Sequence, residues 1–274
     1  MTSPVPLLSV ITPSRDRAGL LLRKLAALRE QDLQPELFEW VICFDGGDPE
    51  AARALEDALE SEPSQFAVRL TETVTQVGPG VARNRAVELA AGRILLFSDD
   101  DCLPATDCLR LHVQAQAEPA VCVGALRFSD AEPGSDWRPA RVDWWNVNGA
   151  NTSVPTENFR QVGGFPDYLE GYGGEDLALG FLLKKAGLEL RALPAATATH
   201  VGPATRRGGQ PERWRQAGAN AVRLAGRHPE MAERLGVQGW QLLLKRLAVP
   251  FMGRRGRLEA AYMQGAAAQR RKEQ

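Results

Sequence analysis

Within about its first hundred residues the chain alternates strand-like and helix-like segments four times. Such alternation is buried most simply as a mostly parallel sheet with right-handed crossovers. Leu7 to Thr12 reads as a short buried strand broken by Pro13, and a helix follows over Gly19 to Glu30, with Leu21, Leu22, Leu25 and Leu28 at helical spacing. Glu39 to Phe44 is a second strand, turned by Asp45-Gly46-Gly47. Asp48 caps the next helix, with Pro49 at its first position and Ala51, Ala54, Leu55, Ala58 and Leu59 along its apolar side. Phe66 to Thr73 alternates as a third strand. Gly78-Pro79-Gly80 opens a helix from Val81 to Ala91, and Gly92 turns the chain into a fourth strand, Ile94 to Phe97.

The second half is less regular. Val121 to Phe128 predicts a strand, followed by a loop rich in Trp, Pro and Asp from Ser129 to Asn146. Thr156 starts a short helix ending at Gly163-Gly164. Gly171-Tyr172-Gly173-Gly174 leads into a helix from Glu175 to Ala186, closed by Gly187. Leu188 to Leu193 is a last strand before His200, and from about Arg206 the chain reads as helical, basic and amphipathic.

The chemistry concentrates at Asp99-Asp100-Asp101, directly after the apolar run Ile94-Leu95-Leu96-Phe97. The carboxyl end of an interior strand is where α/β folds place ligands. Three adjacent carboxylates repel one another and call for a cation, and oxygen ligands favour a hard one, Mg²⁺ or Mn²⁺. In an extended segment Asp99 and Asp101 would project to one side and Asp100 to the other. Taken alone, such a triplet reads first as a solvated acidic loop, and it is the strand in front and the other motifs of the chain that reverse this preference.

At 274 residues and 44% hydrophobic content the chain can bury a large core. Its formal net charge of -1 hides an asymmetry: residues 1–200 balance at -11 and residues 201–274 at +10. The basic end suggests an anionic surface or ligand. Cys43, Cys102, Cys108 and Cys122 form no Cys-x-x-Cys pair, which predicts reduced core thiols rather than a zinc site. With no basic-then-apolar leader and no stretch long enough to span a bilayer, a cytoplasmic protein is expected.

Taken in order, these motifs resemble the family 2 inverting glycosyltransferases over roughly residues 7–205. Ser9 to Arg17 is similar to that family's first strand and nucleotide-binding turn. Val41 to Gly47 resembles its second strand, and Gly78 to Asn84 the segment before its third helix. Ser98 to Pro104 looks like its DXD metal motif, and Gly173-Gly174-Glu175-Asp176 like its Glu-Asp motif. The resemblance implies a GT-A fold, a Rossmann-like mostly parallel α/β sheet flanked by helices, with a C-terminal helical extension. It divides the chain into a nucleotide-sugar-binding half (1–115), an acceptor-binding half of the same domain (116–205) and a basic amphipathic tail (206–274).

The resemblance also implies roles. Pro13, Ser14, Arg15 and Asp45 would meet the nucleotide. A guanidinium at Arg15, where the family has an aromatic, can also stack on a base. Asp101 and Asp99 would bind Mn²⁺ or Mg²⁺ with His200 completing the shell, and Asp100 would meet the ribose or sugar. Asp176 would be the catalytic base. Glu175 would orient the acceptor, or be the base if the register shifts by one. A carboxylate in a helix's first turn is expected to stay ionised, and the glycines before it to let the backbone approach the substrate. Arg83, near a glycine-led helix start, would contact the nucleotide or form a surface salt bridge. Gly149-Ala150-Asn151 resembles the acceptor-side strand, while Trp144 and Trp145 suit core more than sugar stacking.

The implied reaction is metal-dependent, inverting transfer from a nucleotide-sugar donor, UDP being the commonest in the family. The acceptor hydroxyl would belong to a saccharide, a lipid-linked molecule or a small molecule, and no nucleic-acid partner is expected. A non-catalytic nucleotide- or sugar-binding relative is the alternative, and a nucleotidyltransferase fits less well, because Pro13-Ser14-Arg15-Asp16 is not a glycine-rich phosphate loop. In the tail, Trp240, Leu242, Leu243, Leu244, Leu247 and Val249 lie among Lys245, Arg246, Arg254, Arg255 and Arg257. That segment would pack on the domain or make peripheral contact with an anionic membrane, at its inner face.

Overall fold

The computed structural model describes residues 5–129, 136–201 and 211–273. The Gly202 and Pro203 end of the expected acceptor half, the boundary at Arg206 and part of the Ser129–Asn146 loop lie outside the described residues.

The first four strands are β1 (Leu8–Ser14), β2 (Phe38–Phe44), β3 (Ala67–Glu72) and β4 (Ile94–Phe97). They pair in parallel in the order β3-β2-β1-β4, with Leu8 opposite both Phe38 and Ile94. Strand periodicity sends Leu8 and Val10 to one face and Ile11 to the other. The first face packs on α1 (Ala18–Arg29) and α2 (Pro49–Ser61), the second on α3 (Pro79–Leu89). Asp48 caps α2 as expected, its Oδ1 accepting from the Ala51 N–H at 3.0 Å.

Pro13 does not end β1, contrary to expectation. The Ile11 carbonyl accepts from Ser98 N–H on the β4 side, and the Ser14 carbonyl from Asp45 N–H on the β2 side. Pro13 therefore turns its nitrogen toward the β4 side, where pairing has already stopped opposite Ile11. The missing donor costs no ladder bond.

Beyond β4 the sheet becomes mixed. The chain adds β5 (Cys102–Pro104), α4 (Cys108–Ala115), β6 (Ala120–Phe128), β7 (Thr152–Pro155), α5 (Thr156–Gln161), α6 (Glu175–Lys185) and β8 (Glu189–His200). The eight strands run β3-β2-β1-β4-β7-β6-β8-β5, with β7 antiparallel to β4 and β6, β8 parallel to β6, and β5 antiparallel to β8. The sheet is thus continuous from the first half into the second. Residues 149–151 precede β7 rather than forming it. β8 does not stop at Leu193: it bulges opposite Gly124 and Ala125 and runs on to His200, its last residue. That extension pairs His200 with Cys102, immediately after the acidic triplet.

Asn151 holds the bulge open. Its Nδ2 donates to the carbonyls of Ala125 and Ala196, both at 3.0 Å, and its Oδ1 faces His112 Nε2 at 3.0 Å. A Cβ on Gly124 would collide with this amide. His112 Nδ1 lies 2.8 Å from Ser153 Oγ, and burial pushes the ring down to about 4 from an ordinary 6.5. A histidine kept neutral in the fold but protonated when unfolded stabilises the fold fully above pH 6.5. That stability is lost as pH falls toward 4, on the order of 3 kcal/mol in all. Urea titrations of the parent and of His112→Gln across pH 4–7 are expected to show the steeper acid loss in the parent alone. Parallel curves would exclude the role.

The remaining helices are α7 (Pro211–Arg227), α8 (Ala232–Leu235), α9 (Gly239–Ala248) and α10 (Gly253–Glu273). α10 lies tightly along α7, where a Cβ at Gly218 would strike the Tyr262 backbone and one at Gly265 the Arg215 carbonyl. Trp144 is buried edge-on against Phe181, so it belongs to the core. All four cysteines are buried free thiols. Among the described residues no helix is long and apolar enough to cross a membrane.

Candidate active site

A cleft of about 930 Å³ opens at the carboxyl ends of β1, β2 and β4. Pro13, Ser14, Arg15, Asp45, Arg83, Asp99, Asp100, Asp101, Glu175, Asp176 and His200 all line it, so the fold gathers every expected site residue into one place.

The acidic triplet is a turn, not an extended segment. The Cys102 N–H donates to the Asp99 carbonyl at 3.0 Å. Lys24, fully buried on α1, donates from Nζ to Ser98 Oγ at 2.6 Å and to the carbonyls of Asp99 and Cys102 at 2.9 and 2.8 Å. Burial lowers the Lys24 pKa, while Cys102 and the three aspartates beside it oppose that shift. The turn changes which carboxylates share a side. Asp100 and Asp101 converge on Arg17 Nη1, at 2.5 and 2.8 Å, whereas Asp99 turns away to Arg83 Nη2 at 2.6 Å. Ser14 Oγ donates to Asp100 Oδ2 at 2.9 Å. Burial still pushes the Asp100 carboxyl above its ordinary range despite Arg17.

His200 Nε2 lies 3.6 Å from Asp101 Oδ1, and these two with Cys102 offer donor atoms within 4.8 Å of one another. Burial pushes the Cys102 thiol well up, so it stays protonated and lies as a donor 3.6 Å from Asp101 Oδ1. A carboxylate oxygen beside an imidazole nitrogen could hold a divalent metal ion. Asp99 is not in this group; its carboxylate belongs to Arg83.

Arg83 is not on the surface. At 2% exposure its guanidinium joins Asp99 to Asp176 Oδ1 at 3.1 Å and Glu175 Oε1 at 3.7 Å. Gly149 leaves the room it needs, since a Cβ there would overlap the guanidinium, and the Gly149 N–H donates to Asp176 Oδ2 at 2.9 Å. The helix dipole does not dominate this pair. Burial, reinforced by Asp176, pushes Glu175 up to about 7, and burial also raises Asp176 against the pull of Arg83.

Gly173 and Gly174, at φ +91 and +102, adopt a left-handed backbone beneath α7, facing Ala217 and Leu224. The positive φ and these close contacts with α7 both call for glycine. Asp45 holds the approach to α3, accepting from the N–H groups of Val77 at 2.7 Å and Gly78 at 3.1 Å. Thr73 Oγ1 also donates to Asp45 Oδ1 at 3.3 Å, and a carboxylate with three such bonds keeps a lone pair for a further donor. Arg15 is half exposed beside Asp16 at 3.3 Å. Asp16 is the one non-glycine residue with positive φ among the described residues, and its N–H donates to the Asp48 carboxylate at 2.8 Å.

Sequence reasoning missed Arg17, Lys24 and the wall contributed by Tyr172, Glu212, Arg213 and Gln216. Lys24 carried a signal: it falls between Leu21 and Leu28 on the apolar stripe of α1, where an unpaired lysine has no place.

The family model described as glycosyl transferase family 2 matches residues 9–166. The chain belongs to that family. A second model, described as the N-terminal domain of galactosyltransferase, matches residues 135–202. Among curated family relatives, a validoxylamine A glucosyltransferase of Streptomyces hygroscopicus subsp. limoneus is 29% identical over 233 residues, covering 69% of this chain and 50% of its own. The chain therefore spans about half the length of that relative. The mannosyltransferase PcManGT from Pyrobaculum calidifontis, solved in complex with GDP-Man and Mn²⁺, superposes with a TM-score of 0.70 at 21% identity, over 99% of this chain and 89% of that one. GalNAc-T7, solved with UDP, GalNAc and Mn²⁺, gives 0.64 at 15% identity, over 81% of this chain and 48% of that one. This family 2 member has the GT-A fold.

Proposed function

We propose that this chain transfers a sugar, with inversion, from a nucleotide-sugar donor to an acceptor hydroxyl, with a divalent cation bound at Asp101 and His200. The observation that carries this reading is the single cleft in which Asp101 and His200 meet on one side and Arg83 holds Asp176 on the other. UDP, the commonest nucleotide of the family it resembles, is the favoured donor nucleotide, and Mn²⁺ is the favoured ion, since neighbours of this fold are solved with Mn²⁺. The ion, when bound, would supply Lewis-acid stabilisation of the diphosphate leaving group.

The chain's own residues do the rest. Pro13, Ser14 and Arg15 face the nucleoside, and Asp45 accepts from the base while keeping the Val77-Gly78 turn closed. Asp100, fixed by Ser14 and Arg17, meets the ribose or sugar in this reading. Asp176 Oδ2 takes the proton of the acceptor hydroxyl as that oxygen attacks the anomeric carbon. Arg83 and the Gly149 N–H orient that carboxylate. Glu175 stands beside it on the acceptor side.

Asp101→Ala tests the metal assignment. It removes a side chain from the cleft wall and little from the core, so the fold is expected to persist. Calorimetric titration with UDP is expected to show Mn²⁺-enhanced binding in the parent and none in the variant. Equal enhancement in both would sink the assignment.

A further inference from the structure

Among the described residues, nothing covers one face of α9. Trp240, Leu243, Leu244 and Leu247 follow the i, i+3, i+4, i+7 spacing of a single helical stripe, and they are 57%, 60%, 56% and 64% exposed. Phe251, one turn beyond, is 89% exposed. Elsewhere among the described residues the exposed large hydrophobics are scattered singly, as is ordinary for a protein surface. A contiguous apolar ridge of this size marks an interaction site.

The opposite side of α9 is fastened to the body. Gln241 Nε2 donates to the Glu233 carbonyl at 2.9 Å, and Leu242 packs with Ala221, Val237 and Tyr262. Lys245 Nζ pairs with Glu259 at 3.2 Å and lies 4.6 Å from the centre of the Tyr262 ring. The ridge is therefore held outward by a built attachment. From Gly236 to Leu258 the sequence contains Lys245, Arg246, Arg254, Arg255 and Arg257 and no acidic residue. Arg246, Arg255 and Arg257 are exposed.

We infer that α9 and the turn after it dock this chain on the surface of an anionic lipid bilayer, the apolar ridge entering the headgroup boundary and the arginines meeting lipid phosphates. A second copy is a poor occupant, because its matching face would bring the same arginines together. The docking does not depend on the transferase reading. It does bear on it, because Tyr262, beside α9, lies 6.4 Å in ring centroid distance from Trp214 on α7. The neighbouring α7 residues Arg213 and Gln216 line the cleft. Docking would thus hold that wall of the cleft near the membrane.

The test uses the full chain and co-sedimentation with vesicles of phosphatidylcholine alone or mixed with phosphatidylglycerol. The parent is expected to pellet with the anionic vesicles at low salt and to be released as salt shortens the Debye length. The double variants Leu243→Ser with Leu247→Ser, and Arg246→Glu with Arg255→Glu, alter exposed positions and are each expected to lower partitioning roughly tenfold or more. A blue shift of tryptophan emission on adding vesicles, lost in Trp240→Phe, would place α9 itself at the lipid. No pelleting at low salt, or equal pelleting of parent and both variants, would overturn the inference. So would light scattering that finds a lipid-free dimer dissolved by the leucine substitutions, since a second copy would then cover the ridge.

Discussion

Asp176→Asn is expected to keep donor affinity and to lose transfer by roughly 10²–10⁴-fold, the usual worth of a general base. Asparagine matches the carboxylate in shape and can still accept from the Gly149 N–H, but it cannot take the acceptor's proton. Arg83 would retain Asp99 and Glu175 as partners, so the variant is expected to fold. Steady-state kinetics should therefore show the loss in kcat with the donor KM little changed. An unchanged kcat would remove Asp176 from the role, and a comparable loss in Glu175→Gln alone would move the base to Glu175.

Arg83→Met is expected to have the largest effect on stability. The guanidinium faces Asp99, Glu175 and Asp176 together, in a setting where it is 2% exposed. Removing one partner from a buried charge cluster costs about 3–5 kcal/mol, because the remaining charges lose their compensation. Part of that cost can be recovered by protonating the carboxylates, which burial already favours. Denaturant midpoints should accordingly fall steeply at neutral pH and recover partly as the buffer is made more acidic. Arg83→Lys keeps the charge without the fork that reaches both Asp99 and Asp176, and should fall between the two. A parent-like midpoint for Arg83→Met would mean that the cluster is not held together by this residue.

The amino-terminal half was legible because each of its elements carries its own periodicity. Leu21, Leu25 and Leu28 on α1, the Asp48-Pro49 start of α2 and the apolar β4 are local statements that tertiary packing agrees with. The second half was not, because its shape depends on pairings between distant segments. Nothing in Leu188–Leu193 reveals that β8 continues past a bulge, and it is Asn151, far away in sequence, that satisfies the carbonyls at that point. Yet this extension is what carries His200 to Asp101.

The lining of the cleft was legible as a set of residues and not as a set of pairs. Alternation along a strand predicted Asp99 and Asp101 on one side. It could not anticipate that buried Lys24 draws Ser98, Asp99 and Cys102 into a turn. That turn gives Asp101 to Arg17 and His200, and Asp99 to Arg83. In the tail, composition showed an amphipathic basic segment, but only the packing separates α10, which lies on α7, from α9, whose ridge is exposed.

In the proposed reaction this cleft moves a sugar from a nucleotide with inversion and needs a divalent ion to do so. The most direct measurement is proton NMR of freshly mixed protein with a panel of α-linked nucleotide sugars, with and without Mn²⁺, reading the anomeric signal of the first sugar released or transferred. Consumption of at least one donor is expected only when the ion is present, with the new signal initially that of the β anomer. Consumption without any divalent ion, an initial α product, or no turnover of any donor in the panel would contradict it.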